Sequence, residues 1–486
     1  MKNDQQQAPL LDALLKYIRL SRGRYHVPGH GGGSGVPEDL LRFWGSGVFS
    51  MDVTEVPGLD DLNSPTGVIA RAQELASQAF GVNRSFFLAN GTTLGLQSLI
   101  LSAGQPGDRL VLPRNSHRSV IGGLIISGID PVFVSPVIVP GFDFAAGVSV
   151  FSYKSAFEKH PRACAAMCVH PTYYGTVGNT AEISQLARFA GIPLLADEAH
   201  GCHNYFHRDY PKGALELGAD AAVQSIHKTG GSLTQSSILH LGRNTLLEGD
   251  RVFSAIKLLQ TSSPSYLLMA SLDAARRQLA LRGTEMLEEI LKGAEVLRKN
   301  ISGIRGLEML EPRHIDGDDV FALDPSRVVI KVSGIGMTGY HAYSWLAEKY
   351  GIYAELADRN NIVFVLGPGT TIKGCKELSG AIKNMAEREG GPPLAKGSFS
   401  GIPKAKVIMS LRDAWFAPSR QVRIEDAAGK VSAEWVAVYP PGIPALIPGE
   451  EVCPSLVNYL IEARESGARF QGPADPELNF VRVIDV

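Results

Sequence analysis

The sequence has few cysteines, no long apolar run and little net charge. Its five cysteines are scattered and odd in number, unlike the paired cysteines of a disulfide-linked secreted domain. No apolar run approaches the roughly 20 residues that cross a bilayer, and the polar first residues lack the apolar core of a signal peptide. A net charge of −2 gives no strong attraction to nucleic acid or anionic membrane. We therefore expect a cytoplasmic globular protein.

The chain has 486 residues, which suits two to four domains, and its pattern predicts an α/β fold. Residues 10–19 have apolar positions at helical spacing, and the glycine-rich stretch Pro28 to Gly35 predicts a loop. A helical pattern at 68–80 begins an alternation of helices with short apolar strands. These strand candidates are 109–112, 131–134, 165–169, 193–196 and 221–225. The alternation predicts a mainly parallel sheet with helices on both faces.

The second half of the chain predicts a small α/β domain. A long helix near 265–300 resembles the connector between a large and a small domain. It is followed by strand-like segments at 327–332 and 362–366, with a helical pattern at 340–350 between them.

A stretch rich in Gly, Pro and Ser, from Gly390 to Gly401, is the predicted linker to a third unit. That unit contains a proline-dense segment, Tyr439 to Gly449. The predicted organisation is an N-terminal arm and loop at 1–67, a large domain at 68–290, a small domain at 291–392 and a C-terminal α+β domain at 393–486.

Three polar segments occupy the positions where an α/β sheet binds ligands. Asn90-Gly-Thr-Thr93 begins a predicted helix, whose N-terminus is a ready anion site. Ala196-Asp-Glu-Ala-His200 and Ser225-Ile-His-Lys228 each follow an apolar strand. Ligands of such sheets bind outside the carboxyl ends of the strands, so the three segments are candidates for one site.

Pyridoxal phosphate (PLP) needs the groups that these segments supply. A lysine amine must bond to its aldehyde, an acid must keep its pyridine nitrogen protonated, and donors must bind its phosphate. Lys228 and Asp197 provide the first two groups, and Gly-Thr-Thr provides an anion site. Ser225 and His227 add phosphate donors beside the lysine. The combination predicts a PLP site.

Plainer interpretations exist for each segment alone. In these interpretations Asp197 is a helix cap, Lys228 is an ordinary solvated lysine, and Gly-Thr-Thr is only the start of a helix. Asp-Glu-Ala-His occurs in helicases too, but a helicase needs a Walker A loop, which this sequence lacks. Zinc is a further alternative because of a cluster made of His200, Cys202, His203 and His207. A second paired set of ligands is missing, so we predict no metal site.

Further segments make the chain recognisable along nearly its whole length. They are His26-Val-Pro-Gly-His30, Asp52-Val-Thr-Glu55, Leu59-Asp-Asp-Leu62, Asn90-Gly-Thr92, Pro113-Arg-Asn-Ser-His-Arg-Ser119, Pro171-Thr-Tyr-Tyr-Gly175, Asp197-Glu-Ala-His-Gly201, Ser225-Ile-His-Lys228, Thr261-Ser-Ser-Pro-Ser-Tyr266 and Tyr439-Pro-Pro-Gly-Ile-Pro-Ala-Leu-Ile-Pro-Gly-Glu450. With this set the chain resembles the Orn/Lys/Arg decarboxylase family, whose members are PLP enzymes of fold type I. It departs from the family at Gly31, where a lysine commonly follows Pro-Gly-His.

The resemblance implies a role for each matching residue. Lys228 is similar to the lysine that forms a Schiff base with PLP, and Asp197 to the partner of the pyridine nitrogen. His117 is similar to the imidazole stacked on one face of the ring, with Ala199 on the other face. The implied phosphate-binding residues are Gly91, Thr92, Thr93, Ser225 and His227. Thr261 and Ser262 are similar to residues that the neighbouring subunit contributes, and Glu450 to a segment that approaches the distal cation of the substrate.

The resemblance also implies an activity, the decarboxylation of a basic amino acid. The chain begins almost at the core and so resembles the short form of the family, which favours L-arginine as substrate, agmatine as product and a place in polyamine synthesis. Lysine and ornithine remain alternatives. Another fold-type-I enzyme, such as an aminotransferase or lyase, would share Asp197 and Lys228 but not the Pro-Pro-Gly segment. A regulatory PLP-binding protein would carry a DNA-binding unit, and no helix-turn-helix or basic patch stands out. The shared site implies at least a homodimer.

Overall fold

The computed structural model describes residues 4–315, 317, 319–395, 402–439 and 442–485. The strands in these residues are β1 (Arg84–Leu88), β2 (Arg109–Pro113), β3 (Asp130–Val134), β4 (Ala163–Val169), β5 (Thr176–Val177), β6 (Leu194–Asp197), β7 (Ala221–Gln224), β8 (Ser237–Leu241), β9 (Glu308–Met309), β10 (Ala322–Leu323), β11 (Arg327–Lys331), β12 (Leu356–Ala357), β13 (Asn361–Val365), β14 (Ser419–Arg423), β15 (Val436–Tyr439), β16 (Ile443–Leu446), β17 (Arg469–Gln471) and β18 (Phe480–Ile484).

The α-helices of the same residues are α1 (Pro9–Leu20), α2 (Glu38–Trp44), α3 (Ser46–Met51), α4 (Val68–Phe80), α5 (Gly91–Ala103), α6 (Arg118–Ser127), α7 (Val150–Lys159), α8 (Thr180–Phe189), α9 (Ile226–Thr229), α10 (Gly249–Leu259), α11 (Tyr266–Ile301), α12 (Gly339–Tyr350), α13 (Ile372–Glu389), α14 (Leu411–Phe416) and α15 (Pro454–Glu465). None of these helices is long and apolar enough to cross a membrane.

The first of two compact units comprises Met1–Ser102 and Leu195–Leu287. Its strands lie in the order β1-β8-β7-β6, with β6 and β7 parallel and the other two pairings antiparallel. α4 has apolar residues spaced by three or four positions, and it buries Ile69, Ala72, Ala76 and Phe80 in the core of this unit. Because β6 and β7 are parallel, the segments that follow them leave the same edge of the sheet.

The second unit comprises Ala103–Leu194 and Glu288–Val486. In it, β2 lies between β4 and β3 and is parallel to both. β12, β13, β11 and β9 form an antiparallel sheet in that order. Nearer the C-terminus, β14 pairs with β18, and β15 lies between β16 and β17. Residues between 422 and 483 form a hydrophobic cluster of their own around Ile424, Val436 and Leu456.

The predicted elements are confirmed. The mainly parallel strands, with an antiparallel edge at β8 and β1, agree with the predicted α/β fold. The helices predicted at 10–19, 68–80, 265–300 and 340–350 are α1, α4, α11 and α12, and the strands at 327–332 and 362–366 are β11 and β13. The glycine-rich loop contains a short 3-10 turn, Gly31–Gly33, which the sequence did not predict.

The predicted domain boundaries at 67, 290 and 392 stay predictions. The separate hydrophobic cluster near the C-terminus supports a third unit. Residues 396–401 of the predicted linker, and Pro440 and Pro441 of the proline-dense segment, lie outside the described residues.

Candidate active site

Three hydroxyl groups meet at the N-terminus of α5. The chain leaves β1 and turns into α5 at Gly91, whose φ of +77° favours glycine. Thr92 Oγ1 lies 2.6 Å from Ser225 Oγ and 2.9 Å from Ser237 Oγ. Hydroxyl groups at the N-terminus of a 13-residue helix are suited to binding a phosphate.

Of the other predicted phosphate-binding residues, His227 is fixed by a hydrogen bond between its Nδ1 and the carbonyl oxygen of Ser236, at 2.9 Å. Thr93 lies in the first turn of α5 and is exposed. Sequence reasoning missed Ser237, since it begins the buried strand β8 and looks like an ordinary strand residue.

Lys228 lies in the single helical turn α9, directly after β7. Its Nζ is 2.9 Å from Nε2 of His200, which is 4% exposed. Sequence reasoning considered His200 only as a zinc ligand. His200 and Lys228 follow the carboxyl ends of β6 and β7, which are parallel neighbours. This placement could have predicted from the sequence that the two side chains lie close together.

Asp197 ends β6 and is buried. Burial raises the pKa of its carboxyl group, and the positive charge of Lys228 partly offsets that effect. The backbone N–H of Ala199 donates to Asp197 Oδ1 at 3.2 Å. A buried carboxylate needs a cationic partner, and a protonated pyridine nitrogen is such a partner.

Glu198, next to Asp197, was not predicted to have a role. Its carboxylate is fully buried and accepts hydrogen bonds from Tyr205 Oη at 2.8 Å, Gln224 Nε2 at 2.8 Å and the backbone N–H of Ala214 at 2.7 Å. Burial raises the pKa of Glu198 to about 8, against the effect of these donors. Glu198 thus connects the end of β6 to Gln224, the residue that precedes Ser225.

Thr261 and Ser262 lie in the turn between α10 and α11. The backbone N–H of Thr261 donates to Asn90 Oδ1 at 3.3 Å, so this turn is connected to the residue that precedes Gly91. Ser262 is exposed. Their predicted contribution to the site of a neighbouring subunit stays a prediction.

The cluster considered for zinc has other partners. Cys202 Sγ lies 3.1 Å from Thr229 Oγ1, and burial raises the pKa of this thiol to about 12. A protonated thiol is a poor zinc ligand. His207 Nδ1 accepts a hydrogen bond from the backbone N–H of Asp209 at 3.2 Å.

His117 and Glu450 belong to the second unit. His117 is the N-cap of α6, and its Nδ1 accepts from the backbone N–H of Ser119 at 3.2 Å and lies 2.8 Å from Ser119 Oγ. With Nδ1 as acceptor, the ring proton of a neutral His117 is on Nε2. His117 therefore lies at the start of a helix, and its stacking on PLP stays a prediction.

Glu450 is 1% exposed and forms an ion pair with Arg114. Arg114 Nη2 is 3.0 Å from Oε2 and 3.3 Å from Oε1, and the backbone N–H of Ile447 donates to Oε2 at 3.0 Å. Arg114 also donates to the carbonyl oxygens of Pro444 and Ala445. Glu450 is therefore not a solvent-exposed acid, because its side chain is buried and both carboxylate oxygens are bonded. A contact between Glu450 and the substrate stays a prediction.

Within the first unit, the residues present fit PLP. The hydroxyls of Thr92, Ser225 and Ser237 suit its phosphate, the buried Asp197 suits its pyridine nitrogen, and Lys228 supplies the amine. The arrangement is therefore capable of binding PLP and bonding to it.

Comparison with known proteins agrees with the family resemblance seen in the sequence. Two family models match the chain: "Orn/Lys/Arg decarboxylase, major domain" over residues 8–374, and "Orn/Lys/Arg decarboxylase, C-terminal domain" over residues 404–477. The chain is 36% identical to an arginine decarboxylase of Bacillus subtilis (strain 168) over 482 residues, 99% of this chain and 98% of that protein. It is 37% identical to an arginine decarboxylase of Bacillus anthracis over 488 residues, again 99% and 98% of the two chains. The solved structure of the constitutive lysine decarboxylase of E. coli matches with a TM-score of 0.83 and 21% identity, covering 99% of this chain and 82% of that chain.

Proposed function

The chain belongs to the Orn/Lys/Arg decarboxylase family, and from this we propose that it converts L-arginine to agmatine and carbon dioxide. It is an amino-acid decarboxylase. One observation carries the choice of arginine: proteins named arginine decarboxylase are 36–37% identical to it over 99% of its length. The lysine decarboxylase of known structure is 21% identical and supports only the fold.

PLP is the proposed cofactor. Lys228 would bond to its aldehyde, Asp197 would hold a proton on its pyridine nitrogen, and Thr92, Ser225 and Ser237 would bind its phosphate. His227, Gly91 and Thr93 are the further proposed phosphate-binding residues, and His117 and Ala199 the proposed ring contacts. When bound, PLP provides an acceptor for the electron pair that departing carbon dioxide leaves behind.

The residues of the chain determine which bond of the substrate breaks. Hydrogen bonds and packing in the site would orient the bound substrate so that the bond to its α-carboxylate is the one that breaks, and orientation would thus select decarboxylation. With PLP bound, Asp197 would hold a proton on the pyridine nitrogen, because a buried carboxylate is stabilised by a cation. Lys228 would supply the amine that releases the product.

The proposed assembly is a homodimer, or a larger homo-oligomer with shared sites. We propose that it is cytoplasmic and works in polyamine synthesis. Apolar side chains support self-association: Tyr25, Phe43 and Trp44, from the segment that precedes and includes α2, are 102%, 85% and 53% exposed. Exposed apolar side chains in one short segment are typical of protein interfaces.

The test is carbon dioxide release by the purified full chain, loaded with PLP, from L-arginine, L-lysine and L-ornithine. We expect arginine to have the highest kcat/KM. Lys228→Ala should abolish both turnover and the covalent attachment of PLP, whereas Lys257→Ala, which changes an exposed lysine of the same unit, should leave both unchanged. A higher kcat/KM with lysine or ornithine would contradict the substrate, and turnover by Lys228→Ala would contradict the site.

A further inference from the structure

His200 has a contact that the proposed roles do not explain. Its Nε2 lies 2.9 Å from Nζ of Lys228, within hydrogen-bond distance, and its side chain is 4% exposed. A lysine ammonium has only donors, so with Lys228 in that form the contact requires His200 to accept at Nε2 and to carry its ring proton on Nδ1. The contact thus joins a neutral imidazole to the nitrogen atom that the proposed reaction uses.

The chemistry of Lys228 creates a need for such an acceptor. In the proposed turnover the substrate ammonium would replace Lys228 on the cofactor. A C=N bond to the substrate nitrogen would form as the C=N bond to Lys228 breaks, and the three protons lost by the incoming ammonium would end on Lys228 Nζ, so atoms and charge balance. The freed lysine is then an ammonium in a half-buried position, where an unpaired charge is costly.

We propose that His200 holds the side chain of Lys228 whenever this lysine is not bonded to the cofactor. The inference rests on the proposed function of Lys228. Without an acceptor, the flexible lysine stem would sample many rotamers, and only a few of them bring Nζ back to the reacting carbon. A hydrogen bond to a buried imidazole restricts that search.

The neighbouring acids have partners of their own. Asp197 attracts Lys228 through its charge, but its proposed partner is the pyridine nitrogen. The carboxylate of Glu198 accepts hydrogen bonds from Tyr205, Gln224 and Ala214. His200 is therefore a positioning residue that acts through Lys228.

The test measures how fast Lys228 bonds to PLP, independently of turnover. The full-length holoenzyme is stripped with hydroxylamine and dialysed. PLP is then added, and samples are reduced with borohydride at successive times, so that mass spectrometry quantifies the labelled Lys228 peptide. His200→Leu and His200→Phe lack the acceptor, and His200→Gln retains one. A charge-assisted hydrogen bond predicts labelling about 10- to 100-fold slower in the Leu and Phe variants, with His200→Gln within about threefold of wild type.

His207→Gln, a change of another buried histidine in the same segment, serves as the control and should label like the wild type. Thermal melting, monitored by circular dichroism, identifies the variants that are folded. One folded variant of the two, His200→Leu or His200→Phe, is enough for the test. Wild-type labelling rates in a folded Leu or Phe variant would overturn the inference, as would a Gln variant as slow as these two. If the wild-type protein instead carries the reduced PLP label on a peptide other than that of Lys228, the proposed function is overturned.

Discussion

Asp197, Glu198 and Glu450 are all buried carboxylates, yet their partners differ. Asp197 has a backbone N–H and the charge of Lys228. Glu198 has three donors from its surroundings, and Glu450 has the guanidinium of Arg114. Burial raises the pKa of each carboxyl group, and the partner determines what the group does. At the residue scale, Asp197 is equipped to bind a cation, whereas Glu198 and Glu450 hold protein segments together.

Glu450→Gln tests whether this carboxylate is needed for folding. The substitution leaves the guanidinium of Arg114 without its counter-charge at a site where Glu450 is 1% exposed. We expect the free energy of unfolding to fall by roughly 3 kcal/mol, since breaking a buried ion pair is costly. Chemical denaturation of Glu450→Gln, with the adjacent Glu451→Gln as control, measures the difference.

The same variant tests the predicted substrate contact. A fall of about 10-fold or more in kcat/KM for arginine, beyond the fall for lysine, would assign Glu450 to the substrate's distal cation. For folding, equal free energies of unfolding of Glu450→Gln and its control Glu451→Gln would contradict the structural importance of the ion pair between Glu450 and Arg114.

At the scale of elements, α11 anchors the N-terminal segment. Asp273 and Arg276 form a 2.6 Å ion pair within this helix, and neither side chain is exposed. Asp273 Oδ2 accepts from the backbone N–H of Leu10 at 3.0 Å, and Arg276 donates to the carbonyl oxygens of Gln5 and Gln7. The pair thus satisfies polar groups at the start of α1, where no side-chain cap is present.

Arg276→Met should destabilise the protein by about 3–5 kcal/mol, because Asp273 is left buried without a cation. Arg282→Met is the matched control, since Arg282 pairs with Glu285 on the exposed surface of the same helix. We expect no measurable effect from the control. Denaturant titration distinguishes the two, and comparable stabilities would refute the anchoring role.

At the scale of the whole molecule, the prediction is self-association. We expect light scattering to give at least twice the chain mass of 52.2 kDa. The double variant Phe43→Ser/Trp44→Ser removes two exposed apolar side chains and should shift the mass toward one chain at the same concentration. Phe189→Ser, which changes a phenylalanine at the end of α8 that is 95% exposed, should leave the mass unchanged. A monomeric wild type, or an unaffected double variant, would contradict this interface.

Local pattern determined most of the elements. The helix at 68–80 and the strands at 109–112 and 131–134 were predictable because apolar spacing and nearby glycines act over a few residues. The sequence also predicts Asp197 and Lys228 as site residues, because each follows an apolar strand and has a side chain that PLP requires.

Only the tertiary structure identified the partners of these residues. His200 beside Lys228, Ser237 beside Thr92, and Arg114 beside Glu450 join positions 28, 145 and 336 residues apart. No local pattern encodes such contacts, since they depend on which strands pair and how deeply each side chain is buried. Motifs and apolar patterns were sufficient to identify the family and most of the elements, and to predict the reactive residues. The tertiary structure decided the partners, because burial and distance between remote segments set the free energy of a charge or a hydrogen bond.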